Sequence, residues 1–321
     1  SGALLQLCSQ YAILPHTWGE EEILYEDVLH GKAHFLRCKK TGLVKVRDSC
    51  ARALQQGFQY IWIDTCCIDK SSSAEFSEAI NSMFNWYEGS GACYTYLADF
   101  EVANNNGEVA TEALKGCRWF TRGWTLKELL APRKVEFYDK NWTLFGDCMS
   151  LAKRISGITG IDERALTRHS SPGCVFDPEA RSKCMRCSSS LVIREILDSF
   201  SIATRIFWAS QRQTTRREDI AYSLLGIFDV NMPLLYGEDD RAFYRLQQEI
   251  ARVSEDHSIL AWDDQNWTID RPPGIVPIST FASSPSKFTR PFVSTWYQPR
   301  SSKITLKDAG LELEVLLRIA L

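Results

Sequence analysis

The sequence predicts an α/β fold built on a largely parallel sheet with flanking helices. Short apolar, β-branched and aromatic runs alternate along the first 150 residues with segments whose apolar residues recur at helical spacing. Strands that alternate with helices are joined by right-handed crossovers and therefore run parallel. A chain of 321 residues is also too long for one small core, so we expect further structure after the sheet.

Four strands are expected, because four segments are rich in residues that favour extended backbone. Pro15 ends the first strand, and Asp64 directly follows the second. The four segments are YAIL at 11–14, YIWI at 60–63, ACYTYLADF at 92–100 and KVEFYD at 134–139.

The segments between these strands are expected to be helical. EEEILYEDVL at 20–29 and VKVRDSCARALQQG at 44–57 precede the second strand, and Gly57 is suited to end the latter helix. Ser72 and Glu75 form a capping box. A much shorter helix, WTLKELL at 124–130, precedes the fourth strand. The residues that share one face of the helix after the capping box are Phe76, Ile80, Met83, Phe84 and Tyr87.

We divide the chain into three parts. Residues 1–150 form the sheet with its helices. Residues 151–255 are expected to be helical, with REDIAYSLLGIF and DDRAFYRLQQEIARVS as helices and a Ser/Cys-rich loop at 170–190. Residues 256–321 form a β-rich extension, with a hairpin about 308–310.

Composition and charge exclude several classes of protein. The formal net charge of −3 does not favour nucleic acid or anionic membranes as partners, and no apolar run is long enough to span a bilayer. Eleven cysteines, an odd number, indicate reduced thiols in a cytoplasmic protein. Cys174, Cys184 and Cys187, with His169 as a fourth ligand, fit no standard zinc spacing, so we predict no metal site.

Polar residues directly after the strands are the first candidates for a binding site, because ligands of open parallel sheets bind beyond the carboxyl ends of the strands. His16, Thr17 and Trp18 follow the first strand, and Asp64 follows the second. His16 is a candidate general base or ribose ligand, and Trp18 is able to stack on a planar ring. A histidine in a turn, a tryptophan lid and an aspartate that caps a turn are the structural alternatives.

Five segments, in order along residues 11–262, resemble the fungal heterokaryon incompatibility (HET) domain. The resemblance implies a role in non-self recognition and regulated cell death, and a position before a receptor region. The segments are YAILPHTWGEEE, YIWIDTCCIDKSSSAEFSEAINSMFNWY, CYTYLADF, RWFTRGWTLKELLAP with VEFYD, and TTRREDIAYSLLGIFDVNMPLLYGEDDRAFYRLQQEI.

A fainter resemblance is to TIR domains, which are flavodoxin-like α/β units, some of which cleave NAD+. TIR enzymes commonly carry a W-x-x-x-E-L pattern on a short helix after the third strand, and its glutamate is catalytic. Residues 124–129 read WTLKEL. The resemblance therefore implies a TIR-like fold, Glu128 as the catalytic carboxylate, and NAD+ or a related nucleotide as the substrate, with no cofactor required.

One carboxylate is chemically sufficient for this cleavage. Nicotinamide leaves the ribose as a neutral molecule and needs no proton, so the remaining requirement is to stabilise positive charge on the ribose. Trp124 lies four residues before Glu128, on the same helical face, and Arg122 is able to bind a diphosphate. The structural alternative is that Thr125 and Glu128 form a capping box.

Two further hypotheses belong to different classes. The chain is alternatively a non-catalytic adaptor whose homotypic contacts recruit a death effector. Cys66 and Cys67, with His16 and Asp64, suggest a Cys–His hydrolase, although cysteines after a buried strand more often pack as small apolar residues. A death-inducing enzyme must stay silent until it is triggered. We therefore expect a homo-oligomer on activation, or release from a regulatory region in cis or in trans.

Overall fold

The structure is a computed structural model that describes residues 11–31, 35, 37–102, 111–168, 193–263 and 280–291, with the backbone of 304–307 and 310–313. The predicted Ser/Cys-rich loop, with His169, Cys174, Cys184 and Cys187, lies outside these residues. The strands are β1 Tyr11–Ile13, β2 Tyr60–Trp62, β3 Ala92–Tyr96, β4 Val135–Tyr138, β5 Leu144–Asp147, β6 Ile304–Lys307 and β7 Gly310–Leu313. The α-helices are α1 Tyr25–Leu29, α2 Gly42–Gln55, α3 Asp64–Cys67, α4 Ser73–Glu88, α5 Thr111–Lys115, α6 Thr125–Leu130, α7 Ala152–Thr159, α8 Glu163–Thr167, α9 Ile193–Asp198, α10 Ile202–Phe207, α11 Asp219–Tyr222 and α12 Arg241–Val253.

The first five strands form one sheet in the order β2-β1-β3-β4-β5. β1 to β4 are parallel, which confirms the predicted mixed α/β architecture, and β5 runs antiparallel to β4. The sequence did not lead us to β5, which follows a tight turn. There the Asp139 carboxylate accepts hydrogen bonds from the backbone N–H groups of Asn141 and Thr143, and such a turn returns the chain alongside the strand it has just left. β6 and β7 pair as the predicted hairpin.

The long helices follow from local signals. Before α4, the Ser72 hydroxyl accepts a hydrogen bond from the backbone N–H of Glu75, as the capping box predicted. Gly57 follows α2 with a φ of 85°, the left-handed conformation that glycine adopts most readily. Four of the five residues predicted for the inner face of α4 are buried, and the fifth, Phe76, packs against the core at its edge.

Two predicted helices are wrong in extent. The helix expected at 20–29 begins only at Tyr25, because the Glu22 carboxylate accepts a hydrogen bond from the backbone N–H of Gly19 and holds this segment in a turn. The helix expected at 217–228 is divided into α11 and a 3-10 turn at Leu225–Ile227. A Cβ atom at Gly226 would stand 2.1 Å from Cβ of Phe84. The backbone passes so close to α4 that a regular helix does not continue.

Apolar cores cover both faces of the sheet. Because side chains alternate along a strand, Ile13 enters the larger core, whereas Ala12 and Leu14 enter a smaller core against α2. The larger core is continuous from β1 through α4 and α6 to the helices after residue 150. Within the described residues, no helix is long and apolar enough to cross a membrane.

Candidate functional site

The carboxyl end of β1 lies where the strand order of the sheet reverses. β2 and β3 pair with opposite sides of β1, and ligands of open parallel sheets bind at such a switch point. His16 follows β1 and bridges to Tyr96 at the end of β3, while Asp64 begins α3 just beyond β2. The structure brings His16 and Asp64 together, with 3.8 Å between His16 Nδ1 and Asp64 Oδ1.

Glu128 lies on α6, whose six residues are all buried. Its Oε2 accepts a hydrogen bond of 3.2 Å from the indole Nε1 of Trp119. The Thr125 hydroxyl instead donates to the backbone carbonyls of Trp119 and Arg122, at 2.5 and 2.9 Å. The capping-box interpretation of Thr125 and Glu128 is therefore wrong, because the residue before the helix is Trp124 and its side chain makes no capping hydrogen bond.

The surroundings of Glu128 favour its neutral form. Burial raises the pKa of Glu128 from its ordinary value of 4.5 to about 8, and the negative charge of Asp64 adds to the increase. The positive charges of Lys127 and Arg122 and the hydrogen bond from Trp119 act in the opposite direction. Because the charge of Asp64 is felt at Glu128, the ends of β1 and β2 and the helix α6 contribute to one electrostatic site.

His16 is held by groups that accept hydrogen bonds. Its Nδ1 lies 3.2 Å from the carbonyl oxygen of Leu14, and its Nε2 lies 3.5 Å from Glu22 Oε2. Burial alone would favour the neutral form of Glu22, but the His16 ring beside it and the ammonium of Lys45 at 2.6 Å lower the pKa of Glu22 to about 2. Within the described residues, His16 Nε2 and Asp64 Oδ1 are buried without a hydrogen-bond partner.

Comparison with known proteins agrees with the first resemblance. The family model described as "Heterokaryon incompatibility protein (HET)" matches residues 11–110. The "Vegetative incompatibility protein HET-E-1" of Podospora anserina is 42% identical over 248 residues, which cover 75% of this chain. The chain belongs to the HET-domain family. It spans 16% of the length of HET-E-1, and no solved structure matches it.

The residues of the HET domain that match the family model include the whole strand-end part of the site. Thr17 is buried beside His16, whereas Trp18 is 41% exposed. The indole Nε1 of Trp18 donates a hydrogen bond of 2.8 Å to Asp64 Oδ2. Glu128 lies after the matched residues, so its place in the site rests on the geometry of α6 alone.

Trp124 and Arg122 lie at the start of α6. The Trp124 indole packs beneath the ammonium of Lys127, which lies 4.3 Å from the ring centroid. The tryptophan that hydrogen-bonds Glu128 is Trp119, while Trp124, which was predicted to share a helical face with Glu128, lies just before the first residue of α6. Arg122 is half-buried and close enough for its charge to favour the ionised form of Glu128, which is consistent with the predicted role in binding an anion.

Sequence reasoning missed two buried cations in this HET domain. Lys127 is 2% exposed, and burial lowers its pKa to about 7, although Glu128 and Asp219 favour its charged form. Arg212 Nη1 donates to the Thr125 hydroxyl at 2.8 Å, and burial lowers the pKa of Arg212 to about 10. No pattern in the neighbouring residues marks Lys127 as buried, because its burial results from packing around α6.

The thiols after β2 do not suit a nucleophile. Cys66 donates through Sγ to the carbonyl oxygen of Ile23 at 3.4 Å, and burial raises the pKa of Cys66 to about 12. Desolvation raises the pKa of Cys67 as well. Because the thiolate is the reactive form, this environment disfavours the Cys–His hydrolase. No group of three or more His, Cys, Asp or Glu side chains that could hold a metal ion occurs among the described residues.

Proposed function

We propose that this HET domain cleaves the bond between nicotinamide and ribose in NAD+, with Glu128 as the catalytic carboxylate. The observation that carries the proposal is the buried Glu128 carboxyl, fixed by Trp119 and within electrostatic range of Asp64. The strand order β2-β1-β3-β4 and a short glutamate-bearing helix after β3 support the TIR-like interpretation. The antiparallel β5 departs from an entirely parallel sheet.

The proposed reaction requires one charge to be stabilised. The C–N bond to the pyridinium breaks and its electron pair stays on nicotinamide, which leaves neutral while positive charge develops on the ribose. Water then supplies the hydroxyl group, so the products are ADP-ribose, nicotinamide and one proton. An ionised Glu128 opposite the ribose stabilises the developing charge, and its burial strengthens the interaction because little water screens it.

The raised pKa of Glu128 agrees with a cationic substrate. With a pKa of about 8 the carboxyl is largely neutral at pH 7. A pyridinium cation placed beside it stabilises the carboxylate and lowers that pKa. Glu128 is therefore suited to become ionised as NAD+ binds, with Arg122 available for the diphosphate and His16 for ribose hydroxyls.

We propose that the biological role is that of a cell-death effector in heterokaryon incompatibility. The family description and the name of HET-E-1 support the part of this role that concerns incompatibility. We expect this effector in the cytoplasm. Activity is proposed to require assembly into a homo-oligomer, or release from a regulatory region in cis or in trans.

An adaptor role is the second candidate, and the surface of α1 favours it. This helix has no buried residue in the structure, and it exposes apolar side chains, of which Leu29 is 64% and Val28 is 42% exposed. Exposed apolar side chains that lie together commonly mark contacts with other proteins. An adaptor would need this surface for signalling and would not need Glu128.

The test measures nicotinamide release by the purified chain, both dispersed and clustered by a fused oligomerisation tag. Wild-type protein is expected to release nicotinamide, and Glu128→Gln to lose this activity at least 100-fold, as is typical when a group that stabilises transition-state charge is removed. Glu78→Gln is the matched control, because Glu78 is exposed on α4 and the change in charge is the same. Intact NAD+ after incubation with folded, clustered wild-type protein would refute the proposal.

A cellular assay separates the two candidates. The enzyme predicts that Glu128→Gln abolishes cell death and that Glu78→Gln does not. The adaptor hypothesis predicts that Leu29→Asp on α1 abolishes cell death, whereas Glu128→Gln still causes it.

A further inference from the structure

Trp18 presents an aromatic face at the edge of the candidate site. Its indole is 41% exposed, yet its orientation is fixed, because Nε1 donates to Asp64 Oδ2 at 2.8 Å. One end of the ring is thus tied to a carboxylate whose other oxygen, Oδ1, has no hydrogen-bond partner within the described residues. An aromatic face beside a carboxylate attracts positive charge through two effects, the quadrupole of the ring and the charge of the acid.

The ammonium of Lys70 occupies this face. Its Nζ lies 3.5 Å from the centroid of the Trp18 ring. Desolvation lowers the pKa of Lys70, while the charges of Asp64 and Glu22 oppose that change. The ammonium of Lys70 is thus partly desolvated by its contact with the indole face. Lys70 lies in the exposed loop between α3 and α4, where its side chain could equally extend into solvent.

We propose that the Trp18 ring and the Asp64 carboxylate form a subsite for a planar organic cation, and that Lys70 fills this subsite until such a cation displaces it. The chemical class is an N-alkylated pyridinium. A flat, delocalised cation covers more of an indole face than an ammonium does. It is also more weakly hydrated, so it loses less hydration free energy when it leaves water. The inference deepens the proposed function and rests on it for the identity of the natural ligand.

The arrangement has a consequence for regulation. Any ring that stacks on Trp18 must displace Lys70, but a cationic ring is also repelled by the displaced ammonium nearby. Removing the ammonium should therefore strengthen the binding of pyridinium cations more than that of a neutral ring of the same shape. An ordinary surface contact between Lys70 and Trp18 would have no such dependence on the charge of the ligand.

The experiment measures dissociation constants of two probes, 1-methylnicotinamide, which is a cation, and nicotinamide, which is neutral. Lys70→Ala is expected to bind the cation about three- to five-fold more tightly than wild type, the range for a competing cation–π contact at a partly exposed site, with a smaller gain for nicotinamide. Lys153→Ala, which removes an exposed lysine on α7, is the matched control. Trp18→Ala is expected to lose most of the binding of the cation, with a far-ultraviolet spectrum that confirms its fold.

Equal affinity of wild type and Lys70→Ala for 1-methylnicotinamide would overturn the inference, as would an equal gain for nicotinamide. Binding is measured without turnover, so the two proposals fail separately. If cations bind as expected and NAD+ stays intact, the proposed reaction is refuted and the subsite stands. If NAD+ is cleaved and Lys70→Ala leaves the affinity for cations unchanged, the subsite is refuted and the reaction stands.

Discussion

Replacing Glu128 by glutamine is predicted to stabilise the fold, and by an amount that depends on pH. Glutamine keeps an oxygen that accepts the Trp119 hydrogen bond but removes the group whose ionisation burial opposes. In the unfolded chain Glu128 ionises near its ordinary pKa of 4.5, whereas in the folded chain its pKa is about 8. Between these values the folded protein binds more protons than the unfolded chain, so the wild type loses stability as pH rises.

The size of the effect follows from the same two values. Each pH unit between 4.5 and 8 costs the wild type about 1.4 kcal/mol relative to the glutamine variant, so the full difference approaches about 5 kcal/mol, an upper limit. Below pH 4.5 the carboxyl is neutral in both states and the variant gains nothing. Lys127 has a lowered pKa and titrates in the same region, but it is present in both proteins and largely cancels in the difference.

The assay is urea unfolding of the wild type, Glu128→Gln and Glu78→Gln at about pH 5 and about pH 8, with the free energy of unfolding extrapolated to water. The advantage of Glu128→Gln over wild type should be about 4 kcal/mol larger at the higher pH, while Glu78→Gln should show no comparable change. A pH-independent difference between wild type and Glu128→Gln would refute the reasoning, because it would mean that the Glu128 carboxylate is solvated in the folded protein.

Three other predictions concern the pH dependence of the reaction and the packing of the fold. The kcat/KM for nicotinamide release should rise tenfold per pH unit below about pH 8 and level off above it, since the carboxylate of Glu128 is the active form; a flat profile would contradict this. Gly226→Ala should destabilise the fold by about 3 kcal/mol, because the new Cβ meets Cβ of Phe84. Gly157→Ala, whose new Cβ has nothing within 4 Å, should instead stabilise α7 by about 0.5–1 kcal/mol. Equal denaturation midpoints for the two variants would contradict the packing argument. Arg168→Ala should lower the free energy of unfolding by about 2–4 kcal/mol, because the Arg168 guanidinium donates hydrogen bonds to three consecutive carbonyls at the end of α6. Urea unfolding measures this loss, and an unchanged midpoint would exclude that role for Arg168.

The features that could be predicted from the sequence are those that residues close together in the chain determine. The Ser72–Glu75 cap of α4 is specified within four residues, and the polar residues after β1 and β2 follow from the direction of the strands. His16 and Asp64 were therefore predicted in one place, and the structure puts them there.

The missed features depend on residues far apart in the chain. Arg168 reaches the carbonyl of Leu130 from 38 positions away, and Arg212 reaches Thr125 from 87. No pattern within a short window encodes such contacts. The same limit applies to Lys127, whose burial results from packing around α6 and not from the composition of that helix.

The brevity of α6 explains how one carboxyl can be kept neutral. At its start, the Thr125 hydroxyl bonds the carbonyls of the preceding turn, and at its end Arg168 bonds the carbonyls of residues 130–132. The carbonyls at the end of the helix are thus satisfied without water, and all six residues are buried. Glu128 has no solvent-facing side of the helix to turn to, and Lys127 and Arg122 compensate its charge only in part, so a cation that enters the site would shift it further towards the ionised form. A cationic substrate would then supply the condition under which Glu128 becomes ionised.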